Sequence, residues 1–331
     1  MSAAVGGSQP RSFGANPPNP ILVEVVRGGL VESVHRGSAL VLDADYKVVA
    51  GAGDPDAVTF PRSAVKPLQA VGMLRAGLVL DGSRLAIATG SHSGEPEHAD
   101  LVRATLRAAG LSEQNLQCPP ALPMHEAARN AVLAAGRGSE RAYMNCSGKH
   151  TAMLLTCLAN GWPTDSYLTA EHPLQVHLCR VLSGYAAEAL EPVTVDGCGA
   201  PLFGMSLTGL ARAFVRFAGE SGQARTVADA MRAHPYYVAG IGREDTELMS
   251  ELPGVLSKAG AEGVHVAAVP GAGSVVVKID DGNERARMPV VVAGLRRLGL
   301  TGAVLDRWAS APVVGGGCSV GTIRAVDDIF S

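Results

Sequence analysis

Strand-like residues occupy both ends of this chain and helical periodicity fills its middle, an order that fits a sheet assembled from the two ends. Residues 22–27, 31–36, 39–43 and 47–51 alternate or run apolar with β-branched side chains, and Gly or Asp separates them. They read as a meander of short antiparallel strands. Residues 264–270, 274–280 and 320–325 have the same character. Gly271-Ala272-Gly273 supplies a hairpin turn there, and residues 288–298 a helix. After Pro61 the period changes, with Val65, Leu68, Val71 and Leu74 recurring every three residues up to Gly77. Residues 84–89 read as a short buried strand. Helices are expected over 96–109, 127–135, 148–159, 174–190, 207–218, 227–233 and 246–252. The expectation is an α+β fold, a single catalytic domain over 21–331, in which the ends complete one antiparallel sheet packed with helices. Residues 1–20, rich in Gly, Ser, Asn and Pro, read as a disordered arm.

Composition removes several function classes. A formal charge of -3 and 4% aromatic residues leave neither a basic footprint nor stacking platforms, so nucleic acid is not an expected partner. No apolar run reaches the length of a membrane span, and the first residues lack both parts of a secretory signal. The six cysteines, Cys118, Cys146, Cys157, Cys179, Cys198 and Cys318, are then expected as thiols in a reducing, cytoplasmic compartment.

Of 28 basic residues only Lys47, Lys66, Lys149, Lys258 and Lys278 are lysine. A guanidinium stays charged at any working pH, whereas an amine can be desolvated and act as a base or a metal ligand. Lysines that survive such a bias are candidates for chemistry. Ser63-Ala-Val-Lys66 opens a helical segment, where residues three apart share a face and the amine can reach the hydroxyl. A serine needs such a base to become a nucleophile. Free N–H groups near a helix start also favour the negative charge of acyl transfer. A capping serine followed by a surface lysine is the plainer reading.

Ser91-His92-Ser93 stands where a strand is expected to end, a usual place for a reactive hydroxyl; helix-capping hydroxyls would look the same. Asn145-Cys146-Ser147-Gly148-Lys149-His150 turns a thiol, an amine and an imidazole towards one region, and Asp196-Gly197-Cys198-Gly199 offers a second thiol. Two thiolates, a nitrogen ligand and a water suit zinc with an open position, although no CxxC or HExxH motif is present. Lys278 lies mid-strand among valines, facing either solvent or a polar cavity. Lys258 is expected to end a helix before a glycine turn.

Together, FPRSAVKPLQA, SHSGEPEHA, MNCSGKHTAML, EHPLQ, DGCGAP, AHPYYVAGIGREDTELM, KAGAEGV and VVVKIDDG resemble the bacterial L-asparaginase II family, the Rhizobium type with two serine–lysine pairs. The threonine-dependent asparaginases are a different group. The resemblance runs in order from about Arg27 to Gly321. It implies a fold like that of serine β-lactamases and glutaminases, a homodimer, and hydrolysis of L-asparagine to L-aspartate and ammonia. Carried over by motif, Ser63 is the acyl-accepting nucleophile with Lys66 as its base, and Ser91 pairs with Lys278. Cys146, Lys149 and Cys198 are the implied zinc ligands, with zinc ordering the substrate end of the pocket. Arg62 and Asp196 are the implied contacts to the substrate's carboxylate and ammonium, with His150 a further polar contact. Competing readings are a glutaminase or other SxxK amidohydrolase, and a non-catalytic protein stapled by zinc. No KTG-like triad supports turnover of β-lactams.

Overall fold

The two ends of the chain do meet in one antiparallel sheet. The computed structural model describes residues 19–330. In chain order, β1 (Ile21–Arg27), β2 (Leu30–Asp43), β3 (Val48–Ala52) and β4 (Val58–Thr59) come first. There follow α1 (Lys66–Arg75), α2 (Gly82–Ala88), α3 (Pro96–Ala108), α4 (Glu126–Ala134), α5 (Ser147–Asn160) and α6 (Pro173–Ala186). Short strands β5 (Val193–Val195), β6 (Pro201–Phe203) and β7 (Met205–Ser206) lead into α7 (Leu207–Gly219), α8 (Gln223–Ala233), α9 (Pro235–Val238) and α10 (Glu244–Glu251). The remainder is β8 (Leu256–Ala259), β9 (Val264–Val269), β10 (Gly273–Ile279), α11 (Arg287–Arg297), α12 (Ala303–Trp308), β11 (Ser310–Gly315) and β12 (Cys318–Ala325).

The large sheet runs β11-β12-β1-β2-β10-β9-β8, with β3 also on β2, and each of its pairings is antiparallel. Strand β2 holds it together. Its first half pairs with β1 and its second half with β10. Sequence reading divides it at Gly37, but the strand continues through that residue, where any side chain would strike the Lys278 carbonyl. Both faces of the sheet are covered. Leu40, Leu42, Val266 and Val276 join the core beneath α1, α2, α5, α6, α7 and α8, while Ala39, Val41, Val275 and Val277 join the core under α11 and α12. Alternate side chains of a strand point to opposite faces, so burial on both faces explains the unbroken run Ala39-Leu-Val-Leu42. Each fully buried Val or Leu contributes roughly 1.5–3 kcal/mol.

Three expectations change. Residues 84–89 are not a strand: α2 covers nearly all of them, because four buried residues in a row (Leu85, Ala86, Ile87, Ala88) suit either a buried helix or a buried strand. Lys258 does not end a helix but lies within β8, the edge strand next to β9. The hairpin of β5 and β6, and the terminal strand β11, have no counterpart in the sequence reading. Of the arm expected over 1–20, residues 1–18 lie outside the described residues; Asn19 donates a hydrogen bond to Asp280. Among the described residues no helix is long and apolar enough to cross a membrane.

Candidate active site

Helix α1 begins one residue after a 3-10 turn over Arg62–Val65, which brings Ser63 just ahead of Lys66. Arg62 takes a φ of +52°, an unusual conformation for a residue with a side chain. It costs on the order of 1–2 kcal/mol, and such strain gathers where a side chain must be aimed. The guanidinium is aimed at Asp196: Arg62 Nε donates to Asp196 Oδ1 at 2.7 Å. Arg62, Ser63, Lys66, Gln69, Lys149 and Asp196 line a narrow cleft, closed on its apolar side by Val65 and residues 201–203. Ser63, Lys66 and Gln69 form three rungs on one face, spaced by three. A wider groove lined by Tyr46, Arg216 and Glu220 has no nucleophile beside a base.

Ser91 follows the end of α2, in a segment whose backbone pairs with the chain beyond α9: Ser91 N–H donates to the Val238 carbonyl and Ser93 N–H to the Ala239 carbonyl. Two buried amines converge on its hydroxyl. Lys66 Nζ donates to Ser91 Oγ (2.9 Å) and to the Gly90 carbonyl (2.5 Å). From the opposite side Lys258 Nζ donates to Ser91 Oγ (3.3 Å) and to its neighbouring carbonyl at Ala259 (2.7 Å). Both lone pairs of the oxygen are thereby engaged, and its own proton is free to be given away. Burial pushes Lys258 down to about 8; Asp245 opposes that shift and Lys66 reinforces it. Holding two amines this deep costs several kcal/mol unless partners offset it, an expense seen at functional sites more than in ordinary cores.

The partner of Ser91 is therefore Lys258 and not Lys278. Lys278 Nζ donates to the Ile279 carbonyl, and its side chain lines a separate pocket with Asn19, Ser38, Asp54 and Asp280. The register explains the confusion. Lys278 pairs with Val264 and Lys258 with Val266, so both lysines leave the same face of the sheet, two strands apart. Two strand spacings are about 9.6 Å. Neither strand order nor register is written in the local pattern.

The thiol cluster sits on the other side of the pocket. Cys146 precedes the first turn of α5, and Cys198 caps the tight hairpin loop closed by the Asp196 N–H to Ala200 carbonyl bond. The two cysteines are buried together with Ala200. Lys149 Nζ donates to Cys198 Sγ at 3.1 Å. A hydrogen bond from Cys146, with Lys149 and His150 nearby, holds the Cys198 thiol far below its ordinary range despite burial. Cys146 is raised, first by its bond to Cys198 and then by burial. Burial pulls Lys149 down, but Cys198, Cys146 and Asp196 outweigh it and hold the amine charged. His150 Nδ1 contacts the Tyr167 hydroxyl at 2.7 Å, and its buried Nε2 has no partner. Among the described residues no three His, Cys, Asp or Glu converge on one point. Two thiols and a buried imidazole nitrogen are nevertheless donor types that zinc takes, while Lys149 would join them only after giving up its proton.

Gly148 locks the two centres together. Any side chain there would overlap the Ile87 carbonyl of α2, so the first turn of α5 rests directly on the backbone that leads to Ser91. Sequence reading missed Lys258 as a partner of Ser91, and with it Asp245 and Gln69. The scarcity of lysine was the one signal that could have singled out Lys258.

The family described as L-asparaginase II matches residues 23–325. No curated protein shows a significant match. Among solved structures the chain is similar to Mglu in its native form, at 14% identity and a TM-score of 0.44, over 79% of this chain and 63% of that one. It thus spans less than two thirds of Mglu. It is also similar to a β-lactamase from Mycobacterium bovis, at 16% identity and a TM-score of 0.40, over 82% of this chain and 95% of that one.

Proposed function

Because the chain belongs to the L-asparaginase II family and is an amidohydrolase by that membership, we propose that it hydrolyses L-asparagine to L-aspartate and ammonia through a serine acyl-enzyme. The observation that carries this reading is one pocket wall bearing Ser63, Lys66 and the Arg62–Asp196 pair. A free amino acid presents an ammonium and a carboxylate. Asp196 and Arg62 offer the complementary charges, and they exchange their contact with each other for contacts with the substrate.

Ser63 Oγ attacks the side-chain carboxamide carbon while Lys66, as the neutral amine, takes its proton. The carbonyl π electrons move to oxygen, giving a tetrahedral oxyanion. Collapse breaks the C–N bond, and the departing nitrogen takes a proton back and leaves as ammonia. Water then attacks the acyl carbon and its proton passes to the amine; collapse breaks the Ser63 Oγ–C bond, Oγ takes that proton back, and aspartate departs. Ser91 bridges Lys66 and Lys258, so protons collected at the first amine can be exchanged with the second.

Zinc, when bound, would be held by Cys146, Lys149 and Cys198, and would supply a cation that neutralises the thiolates and orders the substrate end of the pocket. We further propose a homodimer, as the family resemblance implies, and a reducing, cytoplasmic compartment, as the composition led us to expect.

The short Lys66–Ser91 contact favours a second reading, in which Ser91 is acylated. Ammonia release from L-asparagine and L-glutamine by the zinc-supplied protein tests the reaction, and acid-quenched peptide mass mapping of the acyl adduct tests the serine. An adduct of 115 Da is not required for the reaction to stand; an adduct on Ser91 that persists in Ser63→Ala would transfer the nucleophile to Ser91. No release from folded protein would remove the amidohydrolase reading for both amides.

A further inference from the structure

The lysine that faces Ser91 from β8 is held from behind by groups that the proposed reaction does not use. Asp245, in the first turn of α10, is 1% exposed. Its carboxylate accepts the Ala259 N–H (2.9 Å) and the Ser257 hydroxyl (2.7 Å), and stands 3.6 Å from Lys258 Nζ. Ser257 Oγ also lies 2.8 Å from His265 Nε2 on β9. These contacts admit one placement of hydrogens. Ser257 gives its single proton to the carboxylate, so it accepts from His265 Nε2–H, and Nδ1 is left as a bare lone pair. Nδ1 is one of the buried atoms without a partner. Burial pulls His265 down to about 4, with Asp245 opposing, so its ring, 3.4 Å from the carboxylate, is uncharged near neutral pH and gains a charge only in acid. Among the described residues, Lys258 is the one Lys or Arg within ion-pair distance of Asp245.

We propose that Asp245 is a positioning residue for the reaction: anchored by β8, it aims the Lys258 amine at Ser91 and governs how readily that amine gives up its proton. This rests on the reading of Lys258 as the second amine. Burial pushes the Asp245 carboxyl up, yet Lys258, His265 and the bonds from Ala259 and Ser257 outweigh it and hold it well below the usual carboxylate range. A fixed anion therefore sits on one side of Lys258, and the Lys66 amine, sharing Ser91, sits on the other. Every charged group that faces Lys258 has a definite sign of effect. Lys66 from α1 and Arg243 from the start of α10 disfavour its proton; Asp245 and Glu244 favour it. Glu244 is already committed to Arg287 at 2.7 Å. His265 on β9 is neutral, and Ser91 is a hydroxyl. Removing the Asp245 charge must then lower the pH at which Lys258 becomes a base, and activity that needs the free amine must rise at lower pH.

The experiment is the pH profile of kcat/KM for ammonia release from L-asparagine by the full chain and its Asp245→Asn and Lys258→Met variants, with thermal unfolding in parallel. The wild-type profile is expected to rise with a midpoint near 8. In Asp245→Asn the midpoint moves down by about one to three units, and in Lys258→Met the midpoint departs from that of the wild type. A folded Asp245→Asn protein with an unmoved midpoint overturns the inference, since a merely structural residue would lower activity or stability without moving the profile. A Lys258→Met profile that keeps the wild-type midpoint sinks the reading of Lys258 itself, a separate failure. Should Asp245→Asn not fold, Ser257→Ala serves: it leaves the carboxylate charged but removes a donor, turns more of its charge on Lys258 and raises the midpoint. An unmoved midpoint there overturns the inference equally.

Discussion

Two buried amines meet at Ser91, and they reach it in different ways. Lys66 comes from the first turn of α1, three residues from Ser63, and its approach to the pocket is a property of a single helix. Lys258 comes from an edge strand, and its approach depends on β8 pairing with β9 and on an aspartate in α10 that grips it from behind. The first arrangement is local and can be built from ten residues. The second exists only once the sheet has formed. A serine–lysine pair drawn from helix spacing is thus half of this centre, and the half supplied by the sheet is where protonation is controlled.

The comparison breaks first at the serines. Ser63→Ala should lower kcat/KM for L-asparagine by about 10⁴-fold and Ser91→Ala by about 10²-fold, as expected for losing a nucleophile and losing a proton relay. Steady-state ammonia release measures both, and the reverse order would make Ser91 the acylated residue. Next come the lysines. Lys258→Met should cost about 10²-fold or more in kcat, whereas Lys278→Met, in its separate pocket, should stay within about threefold. Equal losses would mean that the two amines are not distinguished by the register. A smaller effect is expected at the pocket mouth, where Arg62→Gln should raise KM about tenfold with kcat changed less, because the lost charge-assisted contact holds the substrate throughout. Smallest is the effect of chelation. Stripping zinc should raise KM more than it lowers kcat and leave the Ser91 centre reactive; abolished turnover at saturating asparagine would contradict a role confined to ordering the substrate end.

The legible parts of the molecule are those whose cause is local. Short apolar, β-branched stretches over 22–27 and 39–43, set off by Gly and Asp, mark strands, and the period after Pro61 marks α1 because its apolar face is buried. Arg62, Ser63, Lys66, Lys149 and Asp196 line one pocket, and Cys146 and Cys198 lie together beside it, while the Lys66 amine bonds Ser91 and the Gly90 carbonyl. Residues 84–89 were illegible for the opposite reason, since a buried four-residue apolar run has no polar face to reveal its period. The choice between Lys258 and Lys278 was illegible too. Each sits among small or β-branched apolar neighbours, and only strand order decides which amine stands over Ser91.

The contact at Gly148 bears on how this pocket can be altered. With the Ile87 carbonyl pressed against the first turn of α5, the distance between the thiol cluster and the shared hydroxyl is set by main chain on main chain. The 2.9 Å contact between His92 Nε2 and Ser147 Oγ ties the same two segments through their side chains. A library built to change substrate reach would therefore find position 148 closed, since any replacement displaces both centres at once. The more adaptable position is Leu202, which lines the cleft but, unlike Val65 and Phe203, is not part of the main core.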